Sequence, residues 1–138
     1  MKIYFAFTVT GNRSKLEDTK KLVSLLEEKG HFILTKHLFS NDPFEIDSKL
    51  RPEQVFLRDM EWLQSSDIVI IEATGSSFGI GFEAGYALGA LNKTVYLLYD
   101  RTQENRISRM ITGLLHENCT KIAYDNFNEV LKFFEKEL

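Results

Sequence analysis

The chain is poor in the residues that staple, chelate or anchor a protein. It has one cysteine, Cys119, among 138 residues, so no internal disulfide can form, which suits a reducing compartment and points to the cytoplasm. The three histidines, His31, His37 and His116, lack metal-ligand spacing and read as structural or surface residues, and no metal or cofactor is expected. Basic residues are not in excess: 17 Lys and Arg face 20 Asp and Glu, a net charge of −3 that supplies no footprint for nucleic acid or an anionic membrane. Long apolar runs are missing too. MKIYFAF at the start is too short for a signal peptide, and nothing approaches a membrane span. With 43% hydrophobic residues and no repeats or linker-like tracts, residues 1–138 read as a single soluble domain able to bury its own core.

What is present alternates. Ile3 to Phe7, Ile68 to Ile71 and Val95 to Tyr99 are continuous apolar runs of strand length, the pattern of strands covered on both faces. His31 to Leu38 and Thr120 to Tyr124 supply two further strands. Between them lie helical patterns. The first opens at an apparent capping box, Ser14 with Glu17, and stops at Gly30. Another starts at Pro52 and runs to about Ser65. A glycine-rich helix crosses between the strands at Ile68 and Val95, a fourth covers Asn105 to Leu115, and the last follows an Asn126 cap. Phe39 to Leu50 reads as an irregular surface loop. Five strands alternating with five helices predict a doubly wound, flavodoxin-like α/β fold with a five-stranded parallel sheet.

Ligands in such sheets bind outside the carboxyl ends of the strands, and two acids fall there. Glu83 follows a small-residue loop and is placed in the first turn of its helix, where the dipole favours an ionised carboxylate; it reads either as a nucleophile or base, or as a helix-stabilising acid. Asp59 interrupts the inward stripe Val55, Phe56, Met60 and Leu63, a costly position unless the acid is paired, and Arg58 is an available partner. Tyr4, Thr8, Gly11 and Arg13 line the end of the first strand and its loop, suited to a sugar or phosphate, or to ordinary turn chemistry. Ser77 and Ser108 are candidate phosphate-binding hydroxyls that would serve equally as caps. Gly79 and Gly81 let a ligand approach the backbone. Gly81, Gly85 and Gly89 make one smooth helix face, for packing on the sheet or for a helix contact in a dimer. Phe44, Phe78 and Phe82 could stack on a base. The dinucleotide fingerprint G-x-G-x-x-A is matched at Gly79 to Ala84, with Asp100 ending the next strand, but its first glycine lies several residues beyond the strand and Glu83 would face a pyrophosphate.

Together these segments resemble the nucleoside 2-deoxyribosyltransferase superfamily, and within it the 2′-deoxynucleoside 5′-monophosphate N-glycosidases. The resemblance is carried by YFAFTVTGNR at Tyr4 to Arg13, RDMEWLQSSDIVI at Arg58 to Ile70, SFGIGFEAGYAL at Ser77 to Leu88 and ISRMITG at Ile107 to Gly113. It implies Glu83 as the catalytic glutamate, Asp59 as the acid that helps orient the sugar and handles the proton for the leaving base, and Tyr4 as a strand-one tyrosine at the catalytic site. Thr8, Gly11, Arg13, Ser77, Gly79, Gly81 and Ser108 would form the substrate-binding set. It also implies a homodimer in which Ser108 reaches the partner's site. Thr10 stands where the hydrolases have an arginine, and Asn12 where they have a glycine. Three activities follow as expectations: hydrolysis of deoxynucleoside monophosphates, transfer of deoxyribose between bases, and nucleotide binding without catalysis.

Overall fold

The computed structural model describes all residues, 1–138. Five parallel strands form one sheet in the order β2-β1-β3-β4-β5: β1 (Lys2–Ala6), β2 (Phe32–Ile33), β3 (Ile68–Glu72), β4 (Thr94–Asp100) and β5 (Cys119–Tyr124). Parallel neighbours need crossovers, and helices supply them. The helices are α1 (Leu16–Glu28), α2 (Pro43–Ser48), α3 (Pro52–Ser65), α4 (Phe78–Gly89), α5 (Arg109–Thr112) and α6 (Phe127–Glu137). No helix is long and apolar enough to cross a membrane.

The period of two along each strand divides the core into two layers. Ile3, Phe5, Ile68, Ile70, Tyr96 and Leu98 meet α1 and α6 on one face. Tyr4, Ala6, Val69, Ile71, Val95 and Leu97 meet α3 and α4 on the other. This alternation aims the Tyr4 side chain at α4. It also sends Glu72, two residues beyond Ile70, to the α1/α6 side.

Several local expectations are corrected. The Ser14–Glu17 capping box does not form. The Ser14 N–H donates to Asn12 Oδ1 and the Leu16 N–H to the Arg13 carbonyl, so the loop's own turn starts α1 one residue late. The second strand, expected over His31 to Leu38, has only Phe32 and Ile33 in ladder pairing. Thr35 ends it: its hydroxyl accepts from Phe5 N and donates to Phe5 O, replacing the ladder with a side chain, and Lys36–Phe39 turns away as a 3-10 helix. Within the expected loop from Phe39 to Leu50, Asp42 accepts from Glu45 N and Pro43 takes the first helical position, making the short α2. The fourth helix is broken into a 3-10 turn, Arg101–Arg106, and the single turn α5, because the Ser108 hydroxyl caps Met110 N and restarts the chain there.

Candidate active site

Two loops meet at the carboxyl end of the sheet, one after β1 and one after β3. Their backbones interlock. Asn12 N–H donates to the Gly75 carbonyl at 3.1 Å. A Cβ on Gly11 would collide with the carbonyl oxygens of Gly75 and Ser76, and one on Gly75 with the Asn12 carbonyl, so both positions need glycine for lack of room. Thr8 is buried, and its hydroxyl accepts the Gly11 N–H at 2.7 Å. Arg13, expected to face substrate, is directed elsewhere: its guanidinium donates to the carbonyls of Thr8, Leu38 and Ser40 and lies 5.1 Å from the Phe7 ring centre. It ties the first loop to the 3-10 turn.

The second loop leads to α4. Ser77 is its N-cap, accepting the Ile80 N–H at 3.3 Å. Glu83 is the sixth helical residue and so lies in the second turn, not the first as expected. Its environment is set by burial, not by the dipole. Burial pushes its carboxyl up to about 7; the Tyr4 hydrogen bond works against that rise and the Asp59 charge adds to it. Tyr4 donates its hydroxyl to Glu83 Oε1 at 2.8 Å, which leaves Oε2 as the oxygen available to a substrate. Burial and the facing carboxylates keep the Tyr4 phenol protonated throughout the working pH range.

Asp59 comes from α3. Arg58 Nε donates to its Oδ1 at 2.9 Å, and Arg58 Nη2 stands 2.8 Å from the same oxygen. Oδ2 is left for the cavity. Burial raises the Asp59 carboxyl above its usual range, opposed by the Arg58 hydrogen bond and charge. Arg58 also donates to Asp47 Oδ1 at 2.9 Å and lies 4.8 Å from the Trp62 ring centre. His37 Nε2 approaches Asp47 at 3.5 Å, and burial, with the nearby guanidinium, holds its imidazole toward the neutral form. His37 and Asp47 were missed from sequence. One sits on a 3-10 turn and the other on a helix taken for loop, and neither has a local spacing that ties it to Asp59.

Tyr4, Asp59, Gly79 and Glu83 line one cavity of about 160 Å³, with Phe56 and Phe82 at its edge. Ser77, Gly81 and Ser108 line a second, larger hollow of about 590 Å³ between α4 and α5, and Phe82 is common to both. The candidates therefore separate into an acid pocket and a hydroxyl-bearing trench, with Thr8, Gly11 and Arg13 shaping the loops behind. Phe78 is fully exposed beside the trench, and Phe82 is half exposed. The dinucleotide reading fails on geometry. Gly79 and Gly81 are inside α4 instead of in the turn before it, and Asp100 is occupied by Lys15 Nζ at 2.5 Å.

A doubly wound α/β domain with two carboxylates over one small cavity has the parts of a glycoside-cleaving enzyme: one acid to meet the anomeric carbon, one to protonate the leaving group. The profile of the nucleoside 2-deoxyribosyltransferase family matches residues 3–132. A protein of Thermofilum pendens, named provisionally a 2′-deoxynucleoside 5′-phosphate N-hydrolase 1, is 36% identical over 138 residues, covering 100% of this chain and 95% of its own. The 5-hydroxymethyl-dUMP N-hydrolase of Esox lucius is 33% identical over 139 residues, covering 99% and 94%. Among solved structures, the CMP N-glycosidase of Clostridium botulinum shares the fold with a TM-score of 0.70 and 22% identity, covering 98% of each chain. The 2-deoxyribosyltransferase of Bacillus psychrosaccharolyticus gives a TM-score of 0.64 with 23% identity, covering 100% of this chain and 93% of its own. The chain belongs to the nucleoside 2-deoxyribosyltransferase family, and its chemistry is that of an N-glycosidase.

Proposed function

We propose that this protein hydrolyses 2′-deoxynucleoside 5′-monophosphates, releasing the free base and 2-deoxyribose 5-phosphate. The observation that carries the reading is the Tyr4–Glu83 hydrogen bond over a cavity shared with Asp59. Glu83 Oε2 attacks C1′ as the bond to the base nitrogen breaks, and that electron pair leaves with the base. Asp59 gives the base its proton. Water then attacks C1′ of the glycosyl ester, Glu83 departs as carboxylate, and the proton from water restores Asp59. Tyr4 holds Oε1 still and steadies the negative charge when Glu83 is released. The names of the curated relatives support the monophosphate as substrate.

The phosphate assignment rests on Ser77, whose neutral hydroxyl stands at the N-terminus of α4, beside the acid pocket. Ser77→Asp should lower kcat/KM for monophosphates about a hundredfold through charge repulsion while sparing unphosphorylated deoxynucleosides. Equal losses on both substrates would remove phosphate recognition from Ser77.

We further infer a homodimer that covers the trench. Added Cβ atoms at Gly81, Gly85 and Gly89 meet nothing, so this glycine face is not packed on the sheet of its own chain. Phe78 and Met110 line the same hollow as Gly81 and Gly85 and are exposed by 101% and 82%, apolar surface that a second copy would bury. A Cβ at position 85 meets nothing within the chain and the position opens onto the trench, so Gly85→Glu should leave the monomer folded, halve the mass seen by sedimentation and lower activity in a concentration-dependent way. A fully active monomer would contradict a shared site.

Product analysis tests the activity itself. The purified protein is incubated with each common deoxynucleoside monophosphate, with and without a second free base. Free base together with 2-deoxyribose 5-phosphate is the expected outcome; incorporation of the added base into a new nucleotide would make the protein a transferase, which the family membership also accommodates.

A further inference from the structure

Glu72 takes no part in this chemistry, yet it is a fully buried carboxylate at the end of the central strand β3. It lies on the opposite face of the sheet from Glu83, beyond Ile68 and Ile70. Burial of such a group is costly, and an apolar side chain of similar size would fill the space without that cost. Its two oxygens are both used. Oε1 accepts the Thr74 N–H at 2.7 Å and Oε2 accepts the Tyr124 hydroxyl at 2.8 Å. Thr74 Oγ1 in turn accepts the Asp100 N–H at 2.9 Å, and Lys15, paired with Asp100, stands 5.6 Å from the Tyr124 ring centre. Burial lifts the Glu72 carboxyl to about 7, against the pull of the Thr74 and Tyr124 hydrogen bonds and the Lys15 charge.

The consequence runs through Thr74. Its N–H is the first backbone donor after the ladder bond from Ala73 N to Leu98 O, and Glu72 captures it, which turns the chain out of the sheet. The next residues are Gly75, locked against Asn12, then Ser76 at φ +51°, then Ser77 at the helix cap. A left-handed serine is costly and persists only where its neighbours are fixed. Glu72 and Tyr124 supply the fixed point.

We propose that Glu72, held by Tyr124, is a positioning residue that sets the Thr74–Ser77 loop in the conformation that receives the 5′-phosphate. The role rests on the monophosphate reading above. Glu72→Gln keeps size and the acceptor for Thr74 N–H but turns an amide N–H₂ toward the Tyr124 hydroxyl, which then has to accept where it had donated and loses its charged partner; Tyr124→Phe removes the bond altogether and serves if the first variant does not fold.

Each variant should raise KM for monophosphates about tenfold, with kcat within about threefold and kcat/KM for unphosphorylated deoxynucleosides unchanged. The Kd for 2-deoxyribose 5-phosphate, measured by calorimetry without turnover, should rise by the same factor. Adding Ser77→Ala to Glu72→Gln should cost less than the product of the single effects, because both act on one loop. Equal losses on phosphorylated and unphosphorylated substrates, multiplicative effects with Ser77→Ala, or an unchanged Kd in a folded variant would overturn the role of Glu72 alone. A wild-type protein that neither binds 2-deoxyribose 5-phosphate nor cleaves monophosphates would overturn the monophosphate reading and the Glu72 role with it.

Discussion

Glu83→Gln is expected to abolish base release, by about 10⁴-fold or more in kcat, with the fold intact. Glutamine preserves the shape of the side chain, and its amide oxygen still accepts the Tyr4 hydroxyl that Glu83 Oε1 accepts at 2.8 Å. It loses the charge under C1′ and the ability to form and release a glycosyl ester. The same variant reports on the buried acid by stability. Native Glu83 titrates near 7, above its usual 4.5, so between those values the folded state binds more protons than the unfolded one, and folding stability falls as pH rises through that window. Glutamine has no such cost. The variant should therefore be more stable than the native protein at pH 8, by about 1–3 kcal/mol, and no more stable at pH 4.5. In the native enzyme kcat/KM should fall as pH drops below about 7, where Glu83 gains its proton. Activity of the variant within tenfold of native would remove Glu83 from the reaction; an equal stability difference at both pH values would show that its carboxyl is not raised.

Asp59→Asn is expected to cost about 10²- to 10⁴-fold in kcat, and the cost should depend on the base. Arg58 holds Oδ1, so Oδ2 is the oxygen that faces the leaving group, and burial keeps its proton affinity above that of a surface aspartate. A base that departs readily as an anion needs little protonation, whereas a poor leaving group needs it fully. Plotted against base pKa, log kcat should fall more steeply in the variant than in the native enzyme. Arg58 keeps its second carboxylate, Asp47 at 2.9 Å, so the guanidinium is not stranded and the fold should survive. The same proportional loss for every base would make Asp59 a sugar-orienting residue and leave the proton donor to be found elsewhere.

The parts of this molecule that depend on chain-local chemistry were legible in its residues. Apolar runs at Ile3, Ile68 and Val95 have no polar face, so they must be buried on both sides, and parallel pairing with helical crossovers follows. That alone put Glu83 and the β1 loop at the ligand end of the sheet. Asp59 on an otherwise apolar stripe was visible for the same reason, as a charge where local pattern asks for none. Local rules misled where another segment offered a better partner. Ser14 lost its capping role to Asn12 and Arg13, and the second strand stopped where Thr35 found the backbone of Phe5.

What only the tertiary structure decided is which groups face each other and what that does to their protons. Helix position argues for an ionised Glu83. Packing of α4 against Tyr4 on β1 buries it instead and lifts its proton affinity to near neutrality. The His37–Asp47–Arg58–Asp59 chain is assembled from a 3-10 turn, α2 and α3, so no window of sequence contains it. Arg13 carries the positive charge that suits a phosphate, but three carbonyls from two segments claim it. Residue type and spacing determine which elements form and which end of the sheet is open. Apart from Arg58 beside Asp59, the groups that desolvate and hydrogen-bond these acids come from residues distant in the chain, and they determine what each acid at that end can do.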